Sequence, residues 1–128
     1  MTKKLKLEEL GRIDVETFKK TPKISLVVIL DNVRSMHNVG AIFRTADAFL
    51  VEKIVLCGIT PQPPHREIHK AALGATESVD WIYEQDINGA IDNLKKENFE
   101  IIGIEQTSSS QLITDFEINS EKKYALIL

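Results

Sequence analysis

Seven residues, Ile24 to Leu30, constrain this chain more than any other segment. Only Ser25 interrupts an apolar, β-branched run that is too short for a buried helix. Such a run reads as a strand covered on both faces, as the strands of parallel sheets are. A parallel neighbour cannot be reached through a tight turn; it needs a crossover of about a dozen residues or more. The chain provides one. Val39 to about Leu50 is helix-like and apolar nearly all round, so it is expected to be largely buried, and Lys53–Cys57 follows as a second strand. Val79–Tyr83, Phe99–Ile104 and Tyr124–Leu128 read as three more strands. His65–Leu73 predicts a short helix stopped by Gly74. Asp86 caps another, whose Ile87, Ala90, Ile91 and Leu94 follow helical spacing. Leu7–Lys20 predicts an amphipathic helix with Leu7, Leu10, Ile13 and Phe18 on its apolar side. Gly11 weakens it and allows a two-part helix, and Thr21-Pro22 ends it. Three prolines between Pro61 and Pro64 exclude regular structure there, and Glu105–Glu121 reads as a polar loop with one turn in it. Strands alternating with helices at these intervals imply an α/β fold, a mostly parallel sheet with helices on both faces. The whole chain, residues 1–128, is one domain, with 1–22 as a helical lead-in.

Composition narrows the class. A hydrophobic fraction of 43% supports a sizeable core. No apolar run approaches the roughly 20 residues of a membrane helix, and the basic N-terminus lacks the apolar stretch of a signal peptide. The one cysteine, Cys57, excludes an internal disulfide and fits a reducing cytoplasm; in a strand-like run it reads as an inert buried thiol. The net charge of −3 argues against a general nucleic-acid coat protein. The charge is uneven, however. Residues 1–23 hold seven Lys/Arg against four acids, and residues 84–121 hold two Lys against nine acids. A polyanion would therefore approach the N-terminal half, unless those lysines only keep the lead-in helix solvated.

In parallel sheets ligands bind beyond the carboxyl ends of the strands. Three segments lead off those ends: Asp31–Asn38, Gly58–Pro64 and Glu105–Ser110. Asn38 is placed to cap the following helix, and Gly40 leaves that helix end uncrowded, a geometry suited to an anion such as an RNA phosphate. Arg44, four residues beyond Gly40 on the same face, leans back toward the loop. An arginine on an apolar helix needs a partner or a task. Position alone allows two readings: Asn38 is only a cap and Arg44 only half of a buried ion pair with Asp47 or Asp31, or both serve a site.

Residues 32 to 49, Asn-Val-Arg-Ser-Met-His-Asn-Val-Gly-Ala-Ile-Phe-Arg-Thr-Ala-Asp-Ala-Phe, closely resemble the first signature motif of the SpoU-type (TrmH-like) RNA 2′-O-ribose methyltransferases of the SPOUT superfamily. Leu10–Phe18, Pro63–His69, Lys70–Ala75 and Val79–Trp81 resemble one bacterial branch of the same family, so the likeness runs through essentially the whole chain. It implies a SPOUT-type, Rossmann-like domain that stops before the C-terminal trefoil knot, because the Gly-x-Glu and Ser-Leu-Asn segments of the second and third motifs do not follow Leu128 here. It implies an S-adenosylmethionine-dependent enzyme that methylates a ribose 2′-hydroxyl in tRNA or rRNA, works as a homodimer in the cytoplasm, and needs no metal. Carried over residue by residue, Arg44 acts on the receiving 2′-hydroxyl and Asn38 shapes the pocket beside it. Asn32, Arg34, His37, Gly40 and His65 are the expected RNA contacts. Glu105, Gln106 and Thr107 would supply part of the cofactor wall.

Other signals carry less. His65 and His69 are four apart, but His-Arg-Glu-Ile-His is not the zinc-protease pattern and no third ligand is evident. Trp81 and Tyr83 could stack on bases, though alternating residues of an apolar segment more often pack. Phosphate-loop and dinucleotide glycine patterns are absent from the sequence. The rival function is a non-catalytic RNA-binding or assembly module that keeps the first motif.

Overall fold

The computed structural model describes every residue except Arg12, and of Leu7 and Glu8 only the backbone, so the expected place of Leu7 on the apolar side of the lead-in lies outside the described residues. Strands β1 (Ile24–Asp31), β2 (Val51–Cys57), β3 (Trp81–Glu84), β4 (Phe99–Gly103) and β5 (Lys123–Ile127) form a sheet in the order β3-β2-β1-β5-β4. Every pairing is parallel. β1 is therefore central, and its alternate side chains enter two cores. Val28 and Leu30 face one with Ile54 and Leu56. Val27 and Ile29 face the other with Val55, Cys57 and Ala125. That double burial explains why β1 reads as a continuous apolar run.

Four helices cover the first face: α1 (Val15–Lys20), α2 (Met36–Ala48), α3 (Arg66–Ala72) and α4 (Ala75–Ser78). Phe18, Val39, Phe43, Ala46, Ile68 and Ala72 bring them down onto the sheet, each large apolar side chain contributing on the order of 1.5–3 kcal/mol. Trp81 meets the Phe43 ring edge-on, with centroids 6.5 Å apart, so Trp81 is a packing residue. The second face carries α5 (Ile87–Lys96), which crosses from β3 at one edge to β4 at the other and buries Ala90 and Leu94. Asp86 caps it, accepting from the Asn88 N–H at 2.9 Å.

The lead-in is two pieces. A 3₁₀ turn at Leu7–Leu10 ends at Gly11 in the left-handed region, and α1 restarts after Asp14, whose carboxylate accepts from the Thr17 N–H at 2.7 Å. Among the described residues of the expected apolar side, Phe18 is buried and Leu10 and Ile13 are exposed. The helix expected at His65–Leu73 forms as α3 and stops before Gly74, and a further short helix follows it. Leu73 and Gly74 both take positive φ, and α4 follows at once. Between β4 and β5 the loop makes one 3₁₀ turn at Ile113–Asp115, and Phe116 rests edge-on against Tyr124.

Candidate active site

The carboxyl ends of β1 and β2 are laced together by side chains. Asn32 has a positive φ of 54°, and its Oδ1 accepts from the Ile59 N–H at 3.0 Å. Gly58, itself at φ 63°, makes room: a Cβ there would collide with that same Oδ1. Thr60 is 3% exposed. Its hydroxyl donates to the Leu30 carbonyl at 2.9 Å and accepts from the Val33 N–H at 3.0 Å. It thus replaces the partners that β1 loses where pairing stops. The Tyr83 hydroxyl donates to the Gly58 carbonyl at 2.6 Å. The loop that launches α2 is therefore clamped on the β2 side.

α2 begins three residues earlier than expected. Ser35, not Asn38, is its cap: the Ser35 hydroxyl accepts from the Asn38 N–H at 3.1 Å. Serine three residues ahead of a first-turn N–H is the ordinary capping arrangement, and Ser35 in the sequence was the signal for it. Asn38 stands in the first turn, its side-chain amide exposed and without a hydrogen-bond partner among the described residues.

The expectation that α2 is buried nearly all round is also corrected. One stripe is buried, Val39, Gly40, Phe43 and Ala46, while His37, Arg44 and Thr45 face solvent. Among the described residues Arg44 makes no ion pair. Asp47, one expected partner, instead accepts from the Ser78 hydroxyl at 3.3 Å, and Asp31, the other, ends β1. The buried-pair reading fails because the helix turns its small and aliphatic residues to the sheet and leaves the guanidinium outside. Gly40 does not open the helix end to an anion either. It is buried under α3, where a Cβ would strike the Ile68 carbonyl, lie 2.7 Å from the Ala71 Cβ and 3.1 Å from the Ala72 nitrogen.

The close approach at Gly40 creates a seam between α2 and α3. An open groove of about 530 Å³ runs along it, with His37, Ala41, Arg44, Phe49, Lys70 and Ala71 among its walls. His37 and Arg44 thus share one surface; Lys70 and Phe49 were not singled out by the sequence. Arg34 is exposed on the preceding loop. His65 is the N-cap of α3, its Nδ1 accepting from the Glu67 N–H at 3.2 Å. Electrostatically the two sides of this end differ. Cys57 is fully buried, and burial, then Asp31, Glu84 and Asp86, pushes its thiol up to about 11. Carboxylates thus gather at the ends of β1 and β3, on either side of the end of β2, whereas the outer face of the α2–α3 seam presents cations.

Glu105, Gln106 and Thr107 leave the end of β4, separated by β5 from β1, the strand that feeds the α2 loop. Ile104 is tied to β5 by its N–H to the Ile127 carbonyl at 2.9 Å. The polar groups beyond it satisfy one another: the Gln106 N–H donates to Glu105 Oε1, the Thr107 N–H to Ser110 Oγ, and the Ser110 hydroxyl to the Glu105 carbonyl. Against S-adenosylmethionine this is a partial fit. The half-exposed Ile104 and Leu128 offer an apolar ledge, but the described residues do not enclose a nucleoside there. No group of three or more His, Cys, Asp or Glu is placed to hold a metal among the described residues.

A parallel α/β sheet whose central strand feeds a clamped loop and a helix with an outward arginine defines the class: an open, doubly covered α/β domain, of the kind that binds ligands beyond the carboxyl ends of its strands. The family model described as the SpoU rRNA methylase family matches residues 25–128, and the chain belongs to that family. It is 30% identical over 123 residues to the 23S rRNA (guanosine-2′-O-)-methyltransferase RlmB of Coxiella burnetii, covering 89% of this chain and 47% of that protein. An rRNA methyltransferase of Sinorhizobium meliloti superposes with a TM-score of 0.71 at 25% identity, over 86% of this chain and 42% of that one. The A. aeolicus TrmH/SpoU tRNA modifying enzyme superposes at 0.73 and 22% identity, over 89% and 56%. A second S. meliloti structure, with a TM-score of 0.73 at 23% identity over 86% of this chain and 42% of that one, was solved with AdoMet bound. The chain spans less than half the length of the curated relatives it matches.

Proposed function

We propose that this chain provides the RNA-facing side of an S-adenosylmethionine-dependent methyltransferase that modifies a ribose 2′-hydroxyl in tRNA or rRNA. The observation that carries the reading is Arg44: a guanidinium on the outward face of α2, without an internal partner among the described residues, on a helix whose entry loop is held by Asn32 and Thr60. A guanidinium has five donors and no acceptor. It is a poor base and a good stabiliser of negative charge developing on the 2′-oxygen. Arg44 accordingly orients the ribose and steadies the alkoxide, and the proton leaves to water or to a substrate phosphate. The exposed amide of Asn38 stands in the first turn of the same helix and shapes the pocket on that side. Arg34, His37 and His65 contact RNA phosphates and bases, Asn32 holds the loop, and Gly40 acts through spacing, letting α3 approach α2. The cofactor supplies the methyl group. Glu105, Gln106 and Thr107 lie at one wall of its place, beside the Ile104–Leu128 ledge. The protein works in the cytoplasm as a homodimer; the single buried thiol fits that compartment, and no helix is long and apolar enough to cross a membrane among the described residues.

The partial cofactor wall favours one rival, an RNA-binding module without catalysis. Calorimetric titration of the chain with S-adenosylmethionine, followed by transfer of labelled methyl groups to total tRNA and rRNA, separates the two. Micromolar binding and transfer that Arg44→Ala abolishes are expected. RNA binding by a folded sample that takes up no cofactor would leave the module as the reading.

A further inference from the structure

The groove along the α2–α3 seam extends well beyond Arg44. Its α2 wall runs from His37 to Phe49, a helical length of roughly 18 Å, enough for several nucleotides. Phe49 closes α2 with its ring 67% exposed. An exposed aromatic at that level has no packing role. Lys70 stands on the opposite wall, also exposed. The titratable side chains lining the groove are His37, Arg44 and Lys70, with no carboxylate among its lining; Asp47 points away to Ser78. Cations interleaved with an open ring are the composition that tracks a nucleic-acid backbone while stacking its bases. The rest of the chain is net acidic, so the concentration of positive charge here is local.

We infer that this groove binds the single-stranded RNA flanking the modified nucleotide, with Phe49 stacking on a neighbouring base and Lys70 pairing with the phosphate between that base and the target. This rests on the reading of Arg44 given above. Phe49 lies five residues beyond Arg44, roughly 7–8 Å along the helix axis, so the base it takes is an adjacent one. Stacking is indifferent to base identity; the contact adds affinity and sets the register of the strand without reading its sequence.

The test measures fluorescence anisotropy of a short labelled single-stranded RNA of mixed sequence with the full chain and with Phe49→Ala, Lys70→Ala and Glu77→Ala, the last exposed and outside the groove. Circular dichroism first confirms that each variant keeps its fold, as expected for exposed positions. Phe49→Ala should bind roughly tenfold more weakly, about 1.4 kcal/mol. Lys70→Ala should reduce the slope of log K against log salt by about 0.7, the value of one phosphate contact on a single strand. Glu77→Ala should match the parent. Ultraviolet cross-linking should place RNA on the peptide containing Phe49. Parent-like affinity and salt slope in both groove variants, with the parent still binding RNA, overturn the groove and leave the proposed function standing. An unbound parent overturns both. Loss of a concentration-dependent dimer in Phe49→Ala, with RNA affinity intact, would show that the groove seats a second copy of the chain instead.

Discussion

Replacing one glycine by alanine should have opposite consequences in two helices of this protein. At Gly40 the backbone needs no positive φ, so only space is at issue. Alanine is the better helix former by about 1 kcal/mol, and on that ground alone Gly40→Ala would stabilise α2. Against it stands α3: the new methyl meets the Ile68 carbonyl, and its 2.7 Å separation from the Ala71 Cβ falls short of the 3.4 Å at which ordinary contact begins. The atoms in the way are backbone and a short side chain, not the tip of a flexible one. α3 must retreat by several tenths of an ångström while Ile68, 0% exposed, and Ala72, 1% exposed, pin it to the core. Overpacking of this kind costs about 1–3 kcal/mol, so it outweighs propensity. Because backbone of a pinned helix is in the way, the upper part of that range applies, about 2–3 kcal/mol; less the propensity gain, the expected net loss is about 1–2 kcal/mol, on the order of 3–8 °C in Tm for a chain of this size.

Gly89 in α5 is the control. Nothing lies within 4 Å of its would-be Cβ, so Gly89→Ala should gain up to about 1 kcal/mol from propensity and the smaller entropy of the unfolded chain. Urea unfolding followed by far-ultraviolet circular dichroism reads both, with equal slopes required before the midpoints are compared. A Gly40→Ala protein as stable as the parent would refute the close α2–α3 approach, and with it the placement of the groove.

Four further outcomes are expected. Thr60→Val keeps shape but leaves the Leu30 carbonyl and the Val33 N–H without their partner, a loss of about 1–3 kcal/mol; chemical denaturation measures it, and hydrogen exchange should quicken at Val33. Asp86→Ala removes the α5 cap and should cost about 1 kcal/mol in the same assay. Cys57 should resist a disulfide-exchange reagent at pH 8 until the protein unfolds, since burial keeps the thiol protonated. Its folded pKa of about 11 exceeds the ordinary 9.0, so its stabilising share is complete below pH 9 and lost as pH climbs toward 11; Cys57→Ala should lose less stability than the parent across that window. Arg44→Ala should leave the unfolding midpoint within about 0.5 kcal/mol of the parent, because an exposed side chain without a pair holds nothing together, while RNA affinity falls; a large destabilisation would mean that the guanidinium has a structural partner.

The sheet was legible because its signal is collective. Five apolar runs separated by helix-length intervals leave few parallel arrangements, and double burial of β1 writes itself into six apolar residues of seven. What escaped was local and contingent. Asn38 and Ser35 are both good caps, and the helix starts from Ser35, whose hydroxyl takes the Asn38 N–H. Thr60 lies between a glycine turn and a proline cluster, where no periodicity marks it, and its importance arises from contact with Leu30, thirty residues away. The burial of α2 around Arg44 was misjudged for a different reason. Alanines count as apolar in any pattern, yet Ala41 and Ala48 sit on the groove side beside Arg44, so the helix looked buried all round when it was not.

The exposure of Arg44 decides between the two readings that its position allowed. A buried arginine would have tied the site's chemistry to the integrity of the fold, since removing either partner of a buried pair is strongly destabilising. Here the two are separate. The core is closed by Val39, Phe43 and Ala46 beneath α2, and the loop entering the helix is fixed by Asn32 and Thr60 through uncharged hydrogen bonds. The cations lie on the other side of that helix, solvated and unpaired among the described residues. On the proposed function, the carboxylates around Cys57 at the ends of β1 and β3 disfavour a polyanion there, and the α2–α3 side is the approach open to RNA. Rigid backbone therefore sets where Arg44 starts and solvent leaves its guanidinium free to move, an arrangement in which the proposed site can be altered residue by residue without unfolding the domain that carries it.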